Sequence, residues 1–153
     1  MLKNYHVVNA LAPATDVFSG TVSTDIINMK DYGHISFLVQ IGVGTTGTST
    51  ITVEACDDVV PSNTTAIPFI YQECTTGDTF GSKTAATTAG FTTTAGSNKM
   101  YKIEVDSDAL GASGYNYIRL KAVEVVNDPV AGGILAVLTE AKYERDVQAS
   151  AIV

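Results

Sequence analysis

Apolar and polar residues alternate at every second position along much of this chain, and no stripe of the 3.6-residue helical period runs for a useful length. In the stretch 33-GHISFLVQIGVGTTGTSTITVEACDD-58, Ile35, Phe37, Val39 and Ile41 share one parity. Ile51, Val53 and Ala55 share another run of the same kind. The pattern predicts two strands, and the Gly- and Thr-rich linker between them predicts a hairpin with a wide tip from Gly42 to Thr50.

The same reading extends in both directions. A short strand is expected at Gly20 to Asp25, followed by a turn at Lys30-Asp31-Tyr32-Gly33. Another is expected from Ile67 to Cys74, and Pro68, having no N–H to donate, places it at a sheet edge or opens it. Thr, Ala, Gly and Ser dominate Thr75 to Ser97, where Phe80 and Phe91 are the large anchors, so this reads as a long surface excursion with one short strand. Regular alternation resumes with Tyr101, Ile103 and Val105, then a helical turn at Asp108 to Gly111, then Ile118, Leu120 and Ala122. Gly132-Gly133 opens a last strand from Ile134 to Thr139. About seven to nine strands separated by turn residues predict an all-β protein, an antiparallel sandwich or jelly-roll-like single domain.

Composition narrows the functional classes. The 153 residues fit one domain and suffice to bury a sizeable core. Charged residues are 16% against 45% hydrophobic, and threonine replaces charge as the main polar residue. A net charge of −7 with scattered basic residues argues against nucleic acid or an anionic membrane as partner, since both require clustered Lys and Arg. The start, Met1 to His6, shows no charged segment followed by an apolar core, which predicts a product that stays in the cytoplasm where it is made. Two cysteines exclude a disulfide framework; Cys56 and Cys74 are expected as two reduced thiols, with a single bridge between them as the alternative.

Each candidate for chemistry meets a plainer explanation. Of the two histidines, His6 and His34, His34 precedes a strand that holds Ser36, but residues two apart share a face without aiming at each other, and no Gly-x-Ser-x-Gly elbow is present; His34 reads as a strand-end histidine on the surface. Asp57-Asp58 and Asp106-x-Asp108 resemble calcium-loop fragments, yet the full acidic loop is missing, and Asp108 is placed to cap the turn at Ala109-Leu110-Gly111. The two cysteines lack a second ligand pair for zinc. Gly42-x-Gly44-x-x-Gly47 matches a phosphate loop by letter, but a β-run follows where a helix is required. Tyr71, Tyr101, Tyr115 and Tyr117 would serve as a sugar platform only if three strands brought them together. No catalytic, cofactor-binding or metal residue is assigned, and no cofactor is expected.

Three segments carry a family likeness. The run 25-DIINMKDYGHISFLVQIG-42, the strand 50-TITVEACDD-58 and the late segment 103-IEVDSDALGASGYNYIRLKAV-123 resemble small β-sandwich virion proteins of tailed bacteriophages, a group that includes capsid decoration and cement proteins. The likeness spans about Asp25 to Val126 and its motifs are structural. It implies a virion structural protein, foremost a capsid decoration protein that binds and stabilises the head surface. A tail or head–tail component is the alternative within that class, and a host-surface carbohydrate-binding module the alternative outside it. The implied partners are the major capsid protein or another virion protein and further copies of the chain, as trimer or dimer, with the virion as location. Residues 16–141 are expected to form the sandwich. Residues 1–15 and 142–153, with Val7, Val8, Leu11 and the closing Ile152-Val153, are expected as arms that order against a neighbour.

Overall fold

Twelve strands among the described residues follow the alternation: β1 (His6–Ala14), β2 (Thr21–Ser23), β3 (Ile27–Asn28), β4 (Tyr32–Ile41), β5 (Thr48–Cys56), β6 (Thr64–Ile67), β7 (Phe69–Cys74), β8 (Thr84–Ala86), β9 (Phe91–Thr92), β10 (Lys99–Asp106), β11 (Tyr117–Val126) and β12 (Gly132–Ala141). A single five-residue helix, α1 (Ser107–Gly111), stands between β10 and β11. These elements come from a computed structural model that describes residues 5–74, 76–143 and 147–152. All strand pairs are antiparallel, and they build two sheets. Sheet A runs in the order β1-β12-β4-β10-β7-β8, and sheet B in the order β2-β11-β5-β6, with β3 beside β11 and β9 beside β5.

The core lies between the sheets. Ile35, Phe37 and Val39 of β4, Ile103 of β10 and Leu138 of β12 come from one side; Ile51 and Val53 of β5 and Ile118 and Leu120 of β11 come from the other. All are fully or almost fully buried, and each contributes on the order of 1.5–3 kcal/mol of transfer free energy. Buried threonines are satisfied: Thr24 Oγ1 accepts the Leu120 N–H at 3.0 Å and donates to the Asp25 carbonyl, and Thr93 Oγ1 accepts the Ser49 N–H at 3.0 Å. Threonine therefore serves this fold inside as well as outside.

The expected hairpin does not form. The strand holding Ile35 to Ile41 belongs to sheet A and the strand holding Ile51 to Ala55 to sheet B, so the two alternations are the inward sets of opposing layers. Residues 42–47 carry the chain from one sheet to the other and are not a wide tip. Asp128 clasps them, accepting from the Thr45 hydroxyl and, at 2.8 Å, from the Thr46 N–H. Gly47 is required there because a Cβ would overlap the Asp128 carbonyl and press on Val130. Pro68 marks a second crossing, between β6 in sheet B and β7 in sheet A, and the run Ile67 to Cys74 is accordingly two strands.

Both chain ends also depart from the arm reading. Residues 6–14, expected within an arm spanning 1–15, form β1, which pairs with β12 from His6↔Leu138 to Ala14↔Gly132 and buries Val8 and Ala10. Two small apolar side chains are a weak signal alone, but an antiparallel partner supplies the ladder that makes them a strand. In the expected arm 142–153, residues 147–152 return across the open end of the sandwich. Ala151 is buried, its carbonyl accepts the Asn28 N–H at 2.8 Å, and Ile152 bridges to Ile27. The rest of those expected arms (residues 1–4, 144–146 and 153), and Thr75 at the head of the excursion, lie outside the described residues.

Candidate functional site

The ladder between β4 and β10 pairs His34 with Asp106. His34 Nδ1 lies 2.7 Å from Asp106 Oδ1, and its Nε2 lies 3.2 Å from Ser36 Oγ, so the three side chains form one hydrogen-bonded row on the outer face of sheet A. This corrects the expectation that His34 and Ser36 do not aim at each other: the cross-strand carboxylate turns the imidazole along its own strand. Asp106 also stands at the N-cap of α1, and having turned to His34 it makes no cap bond; Asp108, expected as the cap, lies inside the first turn. The row can order the Ser36 hydroxyl. Acyl transfer needs in addition a pair of free donors aimed at a developing oxyanion. Here β4 is hydrogen-bonded on both edges, to β10 and to β12, and its N–H groups around Ser36 are committed to the ladder.

The other candidates are dispersed. Asp57 accepts from the Asn63 side chain at 3.0 Å and from the Asn63 and Ser62 N–H groups, and these bonds, the Asn63 side chain foremost, hold its carboxyl below the usual range. It staples its own loop, as Asp128 staples residues 42–47. Bonds from Thr45 first, then Thr46, depress Asp128 likewise. No group of three or more metal-ligating side chains occurs among the described residues. Cys56 and Cys74 are both free and buried, one in each sheet, and burial pushes the Cys56 thiol up to about 11.

The tyrosines do not make a platform. Tyr71 stacks on Phe91 with ring centroids 4.0 Å apart, and Phe91 in turn packs on Tyr101. Tyr101 is buried; its hydroxyl donates to Glu73 at 3.1 Å and accepts the Thr94 N–H at 2.8 Å. This cluster pins the Thr- and Gly-rich excursion to the core. Tyr117 belongs to sheet B, where Lys30 lies over its ring at 5.5 Å.

What the sequence reading missed is the character of the two outer faces. Glu54 is buried on sheet B, its Oε2 held by Arg119 Nη2 at 2.7 Å and its Oε1 by Lys121 at 3.4 Å. Farther along β11 the outward residues become Val123 and Val125, both exposed. On sheet A a groove of about 560 Å³ opens beside the bulged strand β1, lined by Leu11, Leu38, Met100 and Leu135 and floored by Gly132 and Gly133. The signal was legible at β11, where 122-AVEVV-126 is apolar in both parities, as a one-sided strand is not.

No protein-family model matches the chain, and no curated protein matches it by sequence. Among solved structures, the SPBc2 prophage-derived protein YomS is similar at 14% identity and a TM-score of 0.49, over 92% of this chain and 96% of that one. The infectious bursal disease virus Gt strain gives 13% identity and a TM-score of 0.27 over 90% of this chain; this chain matches only 41% of that longer one. The D431N mutant VP2 protein of the same virus, in T=1 particles, gives 12% identity and a TM-score of 0.26, over 90% of this chain and 40% of that one.

Proposed function

We propose that this chain is a structural protein of a tailed-bacteriophage virion, a decoration protein that binds and stabilises the head surface. The observation that carries the reading is the strand order. The layers β1-β12-β4-β10-β7-β8 and β2-β11-β5-β6 set early strands beside late ones in a two-sheet antiparallel sandwich, and we read this order as related to the double-sheet arrangement that viral capsid domains use among others. The segments that resemble phage virion proteins supply the centres of both layers: β4, β5, β10 and β11. The edges are suited to a component present at high concentration. The edge strands β2, β6 and β8 have three or four residues, and β1 carries two register shifts, so edge-to-edge aggregation is discouraged.

This reading assigns no catalytic role to the His34 row, which stiffens the outer face. Its test is addition of the purified chain to phage heads lacking it, followed by electron cryomicroscopy and a count of copies per particle. Repeated density over the head lattice is the expected result. Density confined to the tail or neck places the chain there instead, and failure to bind any particle overturns the reading.

A further inference from the structure

We propose that the two outer faces of the sandwich dock on each other between copies, the sheet A face of one chain on the sheet B face of the next. Along β10 the outward positions run from Asp106 to Met100, and along β11 they run from Arg119 to Val125; each span is six residues, roughly 20 Å. The sheet A face is acidic at one end and apolar at the other. Its acidic end has Asp106, Asp108 and Glu140 beside Glu104, and Lys83 and Lys102 already engage Glu104. Its apolar end is the groove around Leu38, Met100 and Leu135, which no charged side chain lines. The sheet B face carries its cations at one end, where Arg119 and Lys121 share the one carboxylate of Glu54 and Lys30 adds a further charge; Asp57 and Asp58 follow β5 at that end, with the Asp57 carboxylate turned into its own loop toward Ser62 and Asn63. At the other end the face is apolar at Val123 and Val125, the carboxylate of Glu124 between them being taken by the Gly20 N–H.

The two gradients run the same way in the molecule. Residues 42–47 join the Ile41 end of β4 directly to the Thr48 end of β5, and Val123 of β11 pairs with Thr50 there while Tyr117 pairs with Cys56 at the opposite end. The acidic end of sheet A and the basic end of sheet B therefore lie at the same end of the sandwich. Copies stacked in one orientation, without inversion, set acid on base and apolar groove on apolar valines. Two acidic faces brought together by a two-fold axis in the parallel sense would repel. Such a contact is heterologous, and it closes into a ring or continues as a stack. The short and bulged sheet edges leave the faces as the available surfaces. This inference deepens the assembly reading above and rests on it for the expectation that copies meet.

The test uses the full chain in solution, with mass measured by light scattering across a concentration series. The wild-type chain is expected to self-associate, less so as salt is raised. Leu135→Lys blocks the sheet A face and Val125→Lys the sheet B face; both sites are exposed, and circular dichroism checks the folds. Each variant alone is expected to lose association by roughly tenfold or more. An equimolar mixture is expected to give a dimer and nothing larger, because one intact face of each kind remains. A monomeric wild type, a mixture that stays monomeric, or a Val125→Lys chain that dimerises alone overturns the proposal. Should either lysine variant unfold, Leu135→Gln and Val125→Thr replace them under the same criteria. A chain that self-associates but does not bind heads sinks the decoration reading and leaves this one; a chain that decorates heads as separate monomers does the reverse.

Discussion

Glu54 shows how much one side chain on a β-face can demand of its neighbours. It is 8% exposed and ionic, so its charge is tolerable only because Arg119 and Lys121 converge on both oxygens. Arg119→Ala is expected to cost about 2 kcal/mol, below the range for a fully buried pair because Arg119 remains partly in water. Urea denaturation measures it, and a loss under about 0.5 kcal/mol would show the pair to be idle. Two buried acids set the alkaline limit. Burial is the main cause that raises Cys56 from 9.0 to about 11 and Tyr101 from 10.0 to about 12. For a group whose folded pKa is raised, stability is whole below the unfolded value and is lost as pH climbs toward the folded one. Urea midpoints are therefore expected to hold up to about pH 9 and to fall between about 9 and 12; a flat profile across that window contradicts the assignment. Little of this was legible in the sequence: Glu54, Arg119 and Tyr101 sit where alternation puts them, but their partners are 65 and 28 positions away.

Among the elements, the crossings between sheets carry consequences that the strands do not. Helix α1 is too short to persist by itself, and it survives because Leu110 is buried at the end of the sandwich. Leu110→Ala is expected to cost about 2–5 kcal/mol by leaving a cavity there, with the melting temperature as readout; a change of a degree or less would mean that the end is not packed. The terminal segment 147–152 makes the opposite point from an idle arm. Deleting residues 147–153 removes the buried Ala151, the Ile27–Ile152 bridge and the hydrogen bond from the Tyr32 hydroxyl to Gln148, for an expected loss of about 2 kcal/mol, or about 4–8 °C in Tm at this chain length. An unchanged Tm would restore the reading of an arm that orders only against a neighbour. The strands themselves were legible because side-chain parity is local. Their partners were not, since a Gly- and Thr-rich linker of six residues serves a hairpin and a sheet-to-sheet crossing equally well.

For the whole molecule, the topology sets both folding and robustness. The first strand pairs with the last, and β4 lies between β10 and β12, so the principal ladders close over long stretches of chain. Refolding is expected on the millisecond-to-second scale or slower, and stopped-flow fluorescence of the tyrosines checks this; folding in microseconds would be inconsistent with such pairings. The aspartates hold loop hydrogen bonds and read as staples, so EDTA is expected to leave the melting temperature unchanged; a fall of several degrees would reveal a bound ion.

What the sequence by itself determined is the class: all-β, one buried face to each long strand, strand parity at β4, β5, β10 and β11, and a helical turn before β11. Those properties follow from the period of the backbone and the preference of each side chain for water or core, which neighbours within a few residues report. Only the tertiary structure decided which strands share a sheet, that β1 and residues 147–152 belong to the sandwich, that His34 meets both Asp106 and Ser36, and that the acidic and basic ends of opposite faces coincide. Each of these is a distance between residues remote in the chain. Alternation tells which way a side chain points, and only the packed layers determine what stands opposite it.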